Sequence, residues 1–175
     1  MERDPNMPPP ALHGKAIIQA LKQTGVEFVL SVPDICTSEG LLRPIAQDPE
    51  LRLVRVCKED EGVSVCAALS FCDKRAVLLM QQTGLMDSAN ALRAIAVDYG
   101  NPVCMMIGLL GKEENALPAQ SSRYGVRIIE PVLDVMGIRH MVMSSDQDIP
   151  ACMQAIDEAY QRSQPLAILF GSNPQ

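Results

Sequence analysis

LRLVRVCKEDEGVSVCAALSFCDKRAVLLMQQTGLMDSAN, Leu51 to Asn90, decides how the rest of the chain is read. It parses as strand, acidic turn, helix, strand, glycine turn, helix. Leu51 to Cys57 is apolar and β-branched, and it ends in the charge cluster Lys58-Glu59-Asp60-Glu61. Apolar residues then recur at helical spacing at Val63, Val65, Cys66, Ala67, Leu69 and Phe71. Ala76 to Met80 is apolar on both faces, as a strand covered on both sides of a parallel sheet is. It breaks at Gln81-Gln82-Thr83-Gly84. Both connecting loops therefore leave the carboxyl edge of one sheet, where open α/β folds keep their ligand sites. One loop brings a carboxylate, the other a polar turn with a glycine.

Working outward, Leu12, Ala16, Ile17, Ala20 and Leu21 form a helix that stops at Gly25, the favoured residue just past a helix end. Val26 to Val32 reads as a first strand ended by Pro33-Asp34, and Thr37 or Ser38 can cap a short helix through Leu41, Leu42 and Ile45. Downstream, the second helix of the opening stretch continues through Ala91, Leu92, Ile95 and Val97 to Gly100. Pro102 to Leu109 is a buried strand, followed by a polar loop, Gly111 to Asn115, taken as a solvated face. Pro131 to Met136 is a short helix, Arg139 to Met143 a strand, Ile149 to Arg162 an amphipathic helix and Pro165 to Phe170 a last strand. Six strands alternating with helices spell βαβ units. The fold class is α/β, a three-layer, doubly wound, mainly parallel six-stranded sheet. Residues 1–10, with Pro8-Pro9-Pro10, read as a flexible N-terminal arm, and 11–175 as a single domain.

The bulk properties narrow the function. The chain has 175 residues, 47% hydrophobic but only 3% aromatic, so its core is aliphatic with Met and Cys. A net charge of −6 without a basic cluster argues against a nucleic-acid partner. No apolar run reaches the roughly 20 residues of a membrane span, and the acidic, proline-rich start does not read as a signal peptide. The six cysteines show no CxxC spacing, which points to free, buried thiols and a cytoplasmic location.

No GxGxxG and no GxxxxGK[ST] occurs, so the common phosphate cradles are missing. His13 and His140 lie far apart in sequence and read as structural. Glu59 is the sharpest candidate. A carboxylate at a strand-to-helix junction can simply favour the positive end of the helix dipole, worth about 0.3–1 kcal/mol. It can equally hydrogen-bond a ligand nitrogen. Gln82-Thr83-Gly84-Leu85 has its own bland reading, a turn and a helix whose free N–H groups are met by Asp87 or Ser88. Two adjacent glutamines closing a buried strand weigh against it, because buried amides need partners.

GVEFVLSVPD, CKEDEGVSVCAALSFCDKRAVLLMQQTGLMDSANAL and PVCMMIGLLG together resemble the pyrimidine-binding domain of thiamine-diphosphate-dependent 2-oxo acid decarboxylases. The likeness is to the sulfopyruvate and phosphonopyruvate decarboxylases, especially the separate alpha subunit of the former. It runs from about Leu12 to Phe170. It implies thiamine diphosphate as cofactor and a carboxy-lyase activity on a small acidic 2-oxo acid. Glu59 is implied to hydrogen-bond the aminopyrimidine and promote the imino tautomer that deprotonates the thiazolium. Pro33, Gln82, Thr83, Gly84, Leu85 and Asn90 are implied to line the cofactor, and Asp34 to face the substrate.

The family's GDG…N motif for Mg²⁺ is missing from these residues, so the resemblance puts no metal ligand on this chain. It implies a beta subunit carrying the diphosphate-binding domain and most of the Mg²⁺ contacts, in an α₂β₂ or higher assembly. Where sulfopyruvate-type alpha subunits tend to carry Gln-His, this chain has Gln120-Ser121, with Arg123 nearby as a candidate for an anionic substrate group. The exact 2-oxo acid stays open. So does the alternative of a non-catalytic regulatory subunit of a thiamine enzyme, and a homo-oligomeric module for an unrelated ligand.

Overall fold

The computed structural model describes residues 11–114 and 116–175; the expected arm over 1–10 and the end of the polar loop at Asn115 lie outside them. Helix α1 (Gly14–Gln23) precedes β1 (Val26–Ser31). A π-helical turn (Ser38–Leu42) then runs into α2 (Arg43–Ile45). After β2 (Arg52–Arg55) come α3 (Glu59–Ser70) and β3 (Arg75–Gln81). Helices α4 (Gln82–Asp87) and α5 (Ala89–Ala91) pass into a π-helical stretch (Leu92–Asp98), and β4 (Cys104–Gly108) follows. Beyond a 3₁₀ turn (Pro118–Gln120) lie α6 (Tyr124–Arg127), α7 (Ile129–Val135), β5 (Arg139–Met143), α8 (Ile149–Arg162) and β6 (Leu166–Phe170).

The six strands form one sheet in the order β2-β1-β3-β4-β6-β5, and every pairing is parallel. Alternate strand residues feed two cores. Val29, Val77, Leu79, Met106 and Ile168 meet α1, α2 and α8 on one face. Leu30, Leu78, Met80, Ile107 and Leu169 meet α3, the Leu92–Asp98 stretch and α7 on the other. β3 and β4 therefore read as continuous apolar runs, each fully buried Leu, Ile or Met contributing about 1.5–3 kcal/mol. This is the three-layer, doubly wound architecture expected from the sequence.

Several local expectations change. Val65 and Phe71 do not join the buried stripe of α3; both are exposed, and Gly62, Val63, Cys66 and Ala67, with Leu69 partly buried, seal the helix to the sheet. Gly62 permits that close approach, since a Cβ there would fall 2.5 Å from Leu78 Cδ1. The turn after β1 is not capped by the Thr37 or Ser38 side chain. Asp34 does that work, accepting from the N–H groups of Cys36 (2.7 Å) and Thr37 (3.1 Å) and from the Thr37 hydroxyl. The glycine turn after β3 does not exist as a turn, because α4 begins at the residue that follows the strand. Nor do Asp87 and Ser88 cap it. The Ser88 hydroxyl instead donates backward to Gly84 O (2.7 Å), a bond that competes with the helix and accompanies its break at Ser88.

Further on, the helix expected through Gly100 is π-helical over Leu92–Asp98, where Arg93 and Asp98 pair at the five-residue spacing of such a turn. Helix α6 has no counterpart in the sequence reading. Of the six cysteines, all of them free, Cys57 and Cys72 are exposed rather than buried, because both sit just outside element ends.

Candidate functional site

The carboxyl edge of the sheet gathers the chemistry. The segment after β1 leaves toward the α1–α2–α8 face, while the one after β3 leaves toward the opposite face. The neighbouring strands β1 and β3 thus diverge at their carboxyl ends, the kind of crevice in which α/β folds bind ligands. Glu59 approaches from β2 as the first residue of α3, and Gly84 from β3 in the first turn of α4.

Those two residues touch. A Cβ on Gly84 would lie within 3.0 Å of Glu59 Oε1, Cδ and Cγ, closer than real Cβ atoms come. The acid of one loop is laid across the bare backbone of the other. Glu59 is half-buried, not turned out into water. Its charged neighbours are otherwise engaged. Glu61 accepts from the Cys57 N–H (2.9 Å) and Lys58 N–H (3.4 Å) at the start of the helix, and Lys58 reaches Asp87 of α4 (3.1 Å). Among the described residues no hydrogen bond or ion pair engages the Glu59 carboxylate, so both oxygens keep their acceptor capacity for an N–H donor.

Gln82 is buried, and both ends of its amide are engaged. Its Nε2 donates to Leu110 O (3.1 Å) and its Oε1 accepts from the Leu110 N–H (2.8 Å). The residue clasps the end of β3 to the loop after β4, and the partner is a backbone group that sequence could not reveal. Gln81 turns to Thr83, its Nε2 donating to Oγ1 (2.9 Å). Thr83 is exposed at the edge, whereas Leu85 is buried under α4. Asn90 lies exposed one helix further on, its side-chain oxygen accepting from Arg93 (3.1 Å and 3.3 Å).

On the far side of the crevice, Pro33 is exposed and Asp34 is buried. Asp34 sits against Gly108, where a Cβ would come 2.9 Å from Oδ1, and all the hydrogen bonds above go to its own turn. Gln120 is exposed in the loop after β4, Ser121 is buried, and Arg123 is exposed beside Gly111. A residue of that loop read as merely solvated organises it. Glu113 accepts from the Ser121 hydroxyl (2.8 Å), the Ser122 N–H (3.1 Å) and the Ser122 hydroxyl. These donors hold its carboxyl down to about 2.

The carboxyl edge also opens a cavity of about 480 Å³ between the turn after β1 and the ends of β4 and β6, lined by Cys36, Leu110, Lys112 and Phe170 among others. Burial beside Asp34 pushes the Cys36 thiol up to about 11, which keeps it protonated. Among the described residues no cluster of His, Cys, Asp and Glu could hold a metal ion, and no helix is long and apolar enough to cross a membrane.

No protein-family model matches the chain. It is 29% identical over 157 residues to the sulfopyruvate decarboxylase subunit alpha of Methanocaldococcus jannaschii, covering 89% of this chain and 90% of that protein. It is 31% identical over 107 residues to the corresponding subunit of Methanococcus maripaludis, covering 63% of it. Against a sulfopyruvate decarboxylase of Methanosarcina acetivorans the identity is 26%, over 85% of this chain but only 37% of that longer protein. In fold it matches 92% of its length to a 2-oxoglutarate:ferredoxin oxidoreductase from Magnetococcus marinus, with a TM-score of 0.66 at 16% identity and 29% of that chain covered. The chain is thus similar over 89% of its length to a sulfopyruvate decarboxylase alpha subunit, and its α/β fold is shared with a 2-oxoglutarate:ferredoxin oxidoreductase.

Proposed function

We propose that the chain is the alpha subunit of a thiamine-diphosphate-dependent decarboxylase of a small acidic 2-oxo acid, sulfopyruvate-like or phosphonopyruvate-like. The observation that carries the reading is the contact between Glu59 and Gly84. It supplies a half-buried carboxylate without a partner among the described residues, set against the one residue type that leaves room for it. That donor-free acid fits a ligand with a ring nitrogen able to donate or share a proton. When bound, thiamine diphosphate supplies the carbanion-stabilising chemistry of decarboxylation.

The chain's part is placement and electrostatics. Glu59 holds a proton at the pyrimidine side, and partial burial at a protein–protein crevice strengthens that hydrogen bond over one made in water. Gly84 keeps the backbone close to the carboxylate, with Thr83 at the rim and Leu85 supporting the helix from below. Gln82 acts through Leu110, fixing the β3 and β4 edges relative to each other. Pro33, Asp34 and Asn90 border the same edge, with Gln120, Ser121 and Arg123 on the loop that would meet the substrate.

A beta subunit bearing the diphosphate-binding domain and Mg²⁺ completes the site in an α₂β₂ or higher assembly. The Methanosarcina relative supports this division, since the chain accounts for 37% of it and leaves length for a second part. The test is reconstitution with such a beta chain and measurement of CO₂ release from sulfopyruvate. Glu59→Gln, which keeps the shape of the side chain, is expected to assemble normally and lose at least about 10²-fold in turnover. Wild-type turnover in that variant would refute the assignment.

A further inference from the structure

At the amino edge of the sheet, opposite Glu59, the surface opens a cavity of about 800 Å³. Its lining includes Phe71, 79% exposed, and Tyr99, 83% exposed, in a chain that has only three Phe and three Tyr. Large aromatic faces left in water beside one cavity mark a binding surface. Phe71, Tyr99 and Ser163 are the residues that end α3, the Leu92–Asp98 stretch and α8. The carboxyl ends of three helices, which favour positive charge, therefore converge there.

The backbone adds an independent sign. Asp73 (φ 55°) and Ser163 (φ 51°) are the two non-glycine residues with left-handed backbone among the described residues, and both line this cavity. Glycine is the cheaper residue at such positions just past a helix end, as Gly25 and Gly137 illustrate at α1 and α7. Polar side chains kept there at a conformational cost point to a use for them. The cavity's own cations are already spent. Lys74 pairs with Glu27 (3.0 Å), and Arg75 is held by Asp157 and by Thr24 O (2.6 Å). Among the described residues no ion pair engages Asp73, which leaves a free negative charge in the lining that holds the two exposed aromatic rings. The Arg75 guanidinium, 5.2 Å from the centre of the Tyr160 ring, shows the same cation-on-ring contact in the cavity wall.

We propose that this cavity binds a flat organic cation of the guanidinium type, stacked on Phe71 and Tyr99 with Asp73 as its counter-charge and the Ser163 hydroxyl as an acceptor. Guanidinium suits the arrangement better than ammonium, because it is planar, weakly hydrated and stacks on rings. The site is remote from Glu59 and does not depend on the decarboxylase reading.

Arginine methyl ester is the probe, with citrulline methyl ester as a twin of nearly the same shape and the same α-amino group but an uncharged side chain, titrated into the full chain and followed by the ring signals of Phe71 and Tyr99. The expected result is saturable binding of the arginine ester in the millimolar range, at least about fivefold weaker for the citrulline ester and weakened by about 0.5 M salt. Asp73→Asn is expected to lose about fivefold in affinity. Asp73→Gly is expected to lose as much while raising Tm by about 2–4 °C, because it relieves the left-handed backbone. Equal affinity for the two esters, no saturation, or an Asp73→Gly chain that gains stability without losing affinity would each overturn the proposal.

Discussion

Replacing Gly84 with Ala tests the site at the point where its two halves meet. The added methyl would come within 3.0 Å of three Glu59 atoms, Cγ included, so rotation of the carboxyl group alone cannot relieve it and the side chain must swing away. Overpacking costs about 1–3 kcal/mol in a closed core. Glu59 is only half-buried and can yield toward solvent, so the low end, about 1 kcal/mol, applies. Gly84 lies inside α4 and carries no positive φ, so Ala also gains about 1 kcal/mol of helix propensity. The two nearly cancel, and Tm is expected to move by no more than about 3 °C. With Glu59 in its proposed role, turnover after reconstitution with a beta chain should nonetheless fall about 10²-fold, since displacing a catalytic group by about 1 Å costs that much. Urea unfolding of the variant in a Glu59→Ala background completes the test, because there the methyl has space and should stabilise by about 0.5–1 kcal/mol. Full turnover in Gly84→Ala, or the same stability change in both backgrounds, would show that the contact is not the organising one.

Other consequences can be checked on the chain alone. Gln82→Leu strips both hydrogen bonds from the Leu110 backbone at a buried position and should cost about 2–3 kcal/mol by urea denaturation. Ser31 carries a buried hydroxyl without a partner among the described residues, so Ser31→Ala should be neutral or slightly stabilising in the same assay. A thiol reagent at pH 8 should modify Cys57 and Cys72 in a fast phase. Cys36, Cys66, Cys104 and Cys152 should react only as the chain opens, since burial holds Cys104 up to about 12 and Cys36 and Cys152 up to about 11. Glu113 has a folded pKa below its ordinary value, so its contribution is present above the unfolded pKa and lost as pH falls from about 4.5 to about 2. The protection of the residue-122 amide, its exchange rate taken relative to the unfolded rate at the same pH, should fall over that window, and Ser122→Ala should move the fall to higher pH.

Much of the architecture was legible because its signals are of the strong kinds. Continuous apolar runs such as Ala76–Met80 and Val103–Ile107 require cover on both faces, and their alternation with helices left little besides a doubly wound sheet. What sequence missed depends on contacts between distant loops. Thr37 and Ser38 look like caps by residue type, but Asp34 reaches the free N–H groups first. Gln81-Gln82-Thr83-Gly84 looks like a turn by composition, yet the Gln82–Leu110 clasp and the packing of Leu85 hold it as helix from its first residue. Phe71 fits the spacing of a buried stripe and lies exposed, because α3 ends at Ser70 and the stripe ends with it. At the site, the sequence supplied Glu59 and Gly84 as members of two motifs. Only the fold put one against the other.

The two outermost strands carry one more implication. β2 is four residues long with Arg at both ends, and β5 opens with Arg139 and His140. Short borders studded with positive charge repel a further strand rather than template one. Growth by ribbon extension is thereby discouraged at both margins, which leaves helix flanks and loop tips as the surfaces a partner could grip.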